Sequence, residues 1–298
     1  LAAVAVRMKR KAGDDKITFR ALFELVDFHA DLANHEQRLE AASTEQIRSI
    51  INALLNKERT LVDPEEMTRR AKGVPHAVNY FVPSWDGKYL AYGLSAGGSE
   101  DASLYVLDVA SGKTVGQPVP RVHEAQVHWT PDSRSLSYNQ IRALPPGSPP
   151  TETFLDTTAF LLRVGAPERS ARPLFGPLVN KNLKLDRLDV AGVYFDPSSR
   201  FMVARTTDTT VPEGKLFVLP LAQLGRPGAA WRLIGTPADK VVSIALQGDE
   251  LLVMTQAGAP HRKIVAVDLR RGTLRDAKLR VAEPADGVLE GFESTPSG

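Results

Sequence analysis

Ser84-Trp-Asp-Gly-Lys-Tyr-Leu-Ala-Tyr-Gly-Leu-Ser-Ala-Gly-Gly-Ser-Glu-Asp101 decides the fold. Asp86-Gly87 marks a tight turn, since aspartate bonds local backbone and glycine accepts positive φ. Tyr89-Leu-Ala-Tyr-Gly-Leu94 follows with the apolar, aromatic-rich pattern of a strand. Gly97-Gly98 and the polar tip Ser99-Glu-Asp101 then read as a loop between strands. Leu104-Tyr-Val-Leu-Asp-Val109 is the next strand, and Ser111-Gly-Lys113 the next turn.

Moving outward, the same turn recurs as Thr130-Pro-Asp-Ser-Arg134, Asp196-Pro-Ser-Ser-Arg200 and Leu246-Gln-Gly-Asp249. Successive copies lie about 46, 66 and 49 residues apart. Strand-like runs follow the copies at Ser135–Tyr138, Phe201–Ala204 and Glu250–Met254. Second strands are expected at Phe160–Val164, Leu216–Leu219 and Ile264–Leu269. A period of roughly 40–50 residues with four strands per unit is that of propeller blades. Leu144-Pro-Pro-Gly-Ser-Pro-Pro150 is a proline-rich loop that accounts for the one long interval. The expected fold is therefore mainly β, a partial propeller of about four blades over 74–298.

Residues 1–73 differ in kind. A strand-like start is followed by a basic cluster (Arg7, Lys9, Arg10, Lys11) and a turn at Gly13-Asp14-Asp15. Ile47, Ile50, Ile51, Leu54 and Leu55 then fit the helical template, with Ser43 and Gln46 as a capping box. A helical hairpin insert is expected over 21–58, followed by a strand that leads into the blades.

Composition narrows the chemistry. The 298 residues contain 37 Lys+Arg against 35 Asp+Glu, a balance that gives no argument for nucleic acid or an anionic membrane. No apolar run approaches the ~20 residues of a spanning helix. Without cysteine, the chain has no disulfide framework, thiol catalysis or cysteine-bound metal. Compartment stays open between cytoplasm and periplasm, since residues 1–6 are too short for a signal-peptide core.

Motifs that could carry chemistry fail on spacing. His123-Glu124 with His128 is one residue too long for H-E-x-x-H, so no metal site is expected. Ser111-Gly-Lys-Thr114 has Leu107 where a phosphate loop needs glycine, and reads as a hairpin turn. Gly97-Gly98-Ser99 has Asp101 where a nucleophile elbow needs glycine. No catalytic residue and no cofactor is expected within the chain.

The opening stretch closely resembles the first well-marked blade of the prolyl oligopeptidase family of serine peptidases. The likeness continues through Leu104–Val109, Trp129-Thr-Pro-Asp132 and Leu136-Ser-Tyr-Asn139. Lys57-Glu-Arg-Thr-Leu-Val-Asp-Pro64 is similar to the strand ending in "L-L-x-D-P", and Lys9–Lys16 to an earlier hairpin of that family. The resemblance implies a seven-bladed propeller that covers an α/β-hydrolase domain, admitting short proline-containing peptides and excluding folded proteins. It also implies that nucleophile, acid and base lie on the hydrolase domain, absent here. That expectation, with the non-methionine start, marks the chain as a fragment inactive alone.

Two departures bear on function. The helical stretch 21–58 stands where the family runs on within about twenty residues. Glu124 occupies the position of an aromatic residue that the family's propeller contributes to the substrate pocket, so the resemblance implies a substrate-binding position there that departs from the proline-pocket pattern. The alternative reading is a non-enzymatic β-propeller that serves as a protein-interaction module. The gene's continuation past residue 298 discriminates between the two.

Overall fold

A computed structural model describes residues 5–10, 17–22, 59–122, 126–207, 213–226 and 228–292. Strands β1 (Ala5–Arg10) and β2 (Ile17–Leu22) pair as an antiparallel hairpin, and β3 (Arg59–Thr60) adds to β2. Ala21 and Leu22 close β2, so they are strand where the sequence suggested the start of the helical insert. The rest of that stretch, 23–58, lies outside the described residues.

Helix α1 (Pro64–Arg70) follows. Asp63 caps it, its Oδ1 accepting from the N–H groups of Glu65 (2.9 Å) and Glu66 (3.2 Å). Pro64 at the first position, acids in the first turn and Arg69 and Arg70 in the last complete a short helix favoured at both ends.

Four four-stranded antiparallel sheets follow among the described residues. The first holds β4 (His76–Pro83), β5 (Tyr89–Ala96), β6 (Ser103–Asp108) and β7 (Lys113–Thr114). The second holds β8 (His128–Trp129), β9 (Ser135–Gln140), β10 (Thr158–Arg163) and β11 (Arg172–Phe175). The third holds β12 (Val190–Tyr194), β13 (Phe201–Thr207), β14 (Leu216–Pro220) and β15 (Arg232–Gly235). The fourth holds β16 (Val241–Gln247), β17 (Glu250–Thr255), β18 (Lys263–Asp268) and β19 (Lys278–Val281). In every sheet the spatial order is the chain order, so each is a simple meander. The fold is thus the expected blade series.

The cores lie between blades, not within them. A sheet has two faces, and successive blades bury theirs against each other in three seams. Tyr80 and Leu104 of blade one meet Trp129, Leu136 and Tyr138 of blade two. Leu161 and Phe175 of blade two meet Val193, Met202 and Phe217 of blade three. Phe175 stands 5.3 Å from Phe217 and edge-on to Trp231 at 5.0 Å. Val203, Leu216 and Val218 of blade three meet Leu251, Val253 and Val267 of blade four. The free face of blade one is covered by Val62, Leu61 and Met67 from the segment around α1.

The repeated turn has a physical purpose. In blade one, Ser84 Oγ donates to Asp86 Oδ1 (2.8 Å) and accepts from Tyr89 N–H, while Lys88 N–H donates to Asp86 Oδ1. In blade two, Thr130 and Asp132 repeat this wiring with Arg134 and Ser135. Turn also reaches turn across the seams: Asp86 N–H donates to Ser133 Oγ (3.2 Å), and Gly248 N–H to Ser198 Oγ (2.9 Å). The proline-rich loop lies in the β9–β10 connection and ends in a 3₁₀ turn, Pro150–Phe154.

Candidate functional site at the meeting of the inner strands

The first strand of each sheet is the inner one. β8 contacts both β4 and β12, and the C-terminal ends of all four inner strands line one cleft. Val82 and Pro83 come from β4, and His128 and Trp129 from β8. Tyr194, with Phe195 and Asp196 just beyond it, extends β12, and Ile244–Leu246 come from β16. Trp85, in the turn after β4, completes the wall. The cleft encloses about 380 Å³, within the ~300–1,000 Å³ typical of small-ligand sites.

Indole hydrogen bonds fix its aromatic side. Trp85 Nε1 donates to Trp129 O (3.0 Å), and Trp129 Nε1 donates to Val82 O (2.9 Å). The two bonds tie the first two blades together at the cleft while leaving Trp85 partly exposed at 37%. The His128 ring tilts over Tyr194 with centroids 4.0 Å apart. Its Nε2 is sealed from solvent without a partner among the described residues. Burial holds the imidazole down at about 4, so it is neutral at physiological pH.

The other end of the inner strands is polar. Gln126 precedes β8, and its Oε1 accepts from Tyr194 Oη at 3.0 Å. Tyr80 Oη donates to Val122 O at 2.9 Å. Gln140 Nε2 donates to Pro120 O (2.9 Å) and Glu168 Oε1 (2.8 Å). Asp156, buried just before β10, pairs with Arg187 at 2.7 Å and Arg142 at 3.5 Å. Asp189, just before β12, pairs with Lys215 at 3.4 Å. The charges at this end neutralise one another.

The residues singled out in the sequence fall as follows. Glu124 and His123 lie outside the described residues, although Val122 and Gln126 on either side are placed. His128 is a cleft residue, packed on an aromatic ring. Ser99 sits in the exposed β5–β6 loop, where its Oγ accepts from Asp101 N–H at 2.9 Å, a local turn bond. Ser111 lies in the β6–β7 hairpin turn, with its N–H and Oγ both donating to Asp108 Oδ1. No cluster of His, Cys, Asp or Glu suited to a metal occurs among the described residues. The cleft itself was not anticipated. Its one signal was the recurring turn, which holds Trp85 and Asp196.

Comparison with known proteins gives a consistent result. The family model described as "Prolyl oligopeptidase, N-terminal beta-propeller domain" matches residues 24–296. Among solved structures, prolyl oligopeptidase B from Galerina marginata bound to a 25mer macrocyclization substrate is similar with a TM-score of 0.65 and 17% identity. That match covers 91% of this chain and 35% of the other. The apo form of the same enzyme is similar with a TM-score of 0.64 and 17% identity, over 92% of this chain and 35% of its own. A prolyl endopeptidase from a study of inter-domain dynamics in catalysis and specificity gives 0.62 and 19% identity, over 77% and 32%. At these identities the structures share the fold, and this chain spans about a third of their length.

Proposed function

The chain belongs to the family of prolyl oligopeptidase N-terminal β-propeller domains, and from that premise we propose that it is the substrate-gating portion of a prolyl oligopeptidase-like serine endopeptidase acting on short proline-containing peptides. The observation that carries the reading is the family match over 24–296, joined to blades whose inner strands meet in one place. Blades locked by apolar seams form a stiff wall. A stiff wall around a passage excludes folded proteins by size and admits extended peptide, which needs no further chemistry from this chain.

The chemistry belongs to a hydrolase domain outside residues 1–298. Its serine would attack the scissile carbonyl, with histidine as base and an oxyanion hole for the developing charge. Glu124 is our candidate for substrate contact. A carboxylate at the position of the family's aromatic residue offers an acceptor and a charge instead of a stacking face, which favours peptides with a basic or donor group. The 1–73 segment is proposed as the leading unit, its last part packed on blade one, and 74–298 as the propeller part.

The test uses the full-length gene product. It should cleave a short proline peptide and spare the same sequence set within a folded protein. Equal cleavage of both would overturn the gating role, and cleavage of neither would overturn the peptidase reading. The 298-residue chain alone should turn over neither substrate.

A further inference from the structure

The four repeated turns each carry an aspartate: Asp86, Asp132, Asp196 and Asp249. Two of them form an ion pair, and a third lies within the field of an arginine. Asp86 pairs with Lys88 at 3.2 Å, and Arg200 grips Asp249 through two nitrogens. Asp132 accepts from the backbone of Arg134 and feels its charge. Asp196 has no cation within 4 Å among the described residues. Its Oδ1 accepts from Ser198 N–H (2.8 Å) and Ser198 Oγ (2.5 Å), which leaves Oδ2 without a hydrogen bond there.

Asp196 is also the only one of the four in the cleft, and the only acid among the described residues that line it. The rest of the lining is apolar or aromatic, apart from neutral His128. Trp85 holds its ring rigid through its bond to Trp129, with its surface partly open. A carboxylate with no ion pair, in a cleft that has indole and phenol walls and no Lys or Arg among the described residues, complements one chemistry. That chemistry is a cation with an apolar body.

We propose that this cleft binds an organic ammonium ion of about single-residue size, with its charge at Asp196 Oδ2 and its apolar body against Trp85 and Tyr194. A free aralkyl amine and the amino end of a peptide share this chemistry. The proposal does not depend on the peptidase reading, because it rests on the cleft's own charge and shape.

The test is titration of the full chain with phenethylammonium at pH 7, followed by tryptophan fluorescence and calorimetry. The neutral isostere 2-phenylethanol is the control. The amine should bind saturably, about tenfold more tightly than the alcohol. Asp196→Asn keeps the Oδ1 acceptor for Ser198, so the turn survives, and should bring the amine down to the alcohol's level. Titration with phenylalanyl-alanine amide in place of the amine shows whether a peptide's amino end is also read. Equal binding of amine and alcohol to the unaltered chain, or no saturable binding of either ammonium probe, would overturn the proposal. So would an Asp196→Asn variant that holds the amine unchanged.

Discussion

Gly93 shows how far a single residue can be constrained by its neighbour. It pairs with Tyr80 across β4 and β5, and the Tyr80 ring lies over it. A Cβ built at position 93 would stand 2.3 Å from the ring. Tyr80 cannot swing away, because it is buried and its hydroxyl is bonded to Val122 O. Gly93→Ala should therefore destabilise by about 1–3 kcal/mol, the range of overpacked cores. A denaturant midpoint equal to that of the parent would show that the ring does not lie there.

His128 gives a pH signature at the same scale. Its imidazole sits at about 4 in the fold because of burial, against the ordinary 6.5 once unfolded. Below 6.5 the unfolded chain binds a proton that the folded chain refuses. This contribution to stability is therefore intact above about 6.5 and is lost as pH falls toward 4. His128→Phe keeps a ring against Tyr194 and removes the orphan nitrogen. Thermal melts between pH 4 and 7 should show a shallower pH slope in that variant, and an identical slope would contradict the burial.

At the scale of elements, the seams are apolar structures with polar trimmings. Leu251 is fully buried between blades three and four, whereas Arg200 and Asp249 bridge the same seam at the surface. Leu251→Ala should lower stability by about 2–5 kcal/mol. Asp249→Asn should leave the midpoint nearly unmoved, since exposed pairs are weak. Urea melts of the two variants check this, and the reverse ranking would mean that ion pairs hold the seam.

Legibility followed burial. The middle strands β5, β6, β10, β13, β14, β17 and β18 were readable because apolar residues run through them, and β9 because Leu136 and Tyr138 alternate with serines. Inner strands β8 and β12 were not, for local reasons. β8 has only two residues, and β12 is interrupted by Gly192, where a Cβ would collide with Gln126. Outer strands β7, β11, β15 and β19 are only two to four residues long, and β7 and β19 are exposed throughout, so they carry little pattern. Helix α1 was missed although Asp63-Pro64 and the charge order of Glu65, Glu66, Arg69 and Arg70 spell its ends. The cleft was illegible for a different reason. Trp85, His128, Tyr194 and Ile244 come from four repeats, and only closure of the blades around an axis brings them together.

In the whole molecule, scaffold and chemistry are proposed to fall to different parts of the protein. This chain supplies repeated blades joined by apolar seams around a cleft, and the proposed function puts bond cleavage on a hydrolase domain outside residues 1–298. The most direct measurement is covalent labelling of the full-length gene product with a fluorophosphonate, followed by mass-spectrometric mapping of the modified serine. We predict one labelled serine, located after position 298, with labelling lost together with proline-peptide cleavage when that serine is replaced. Labelling of Ser99 or any other serine within residues 1–298, or no labelled serine at all, would contradict the account.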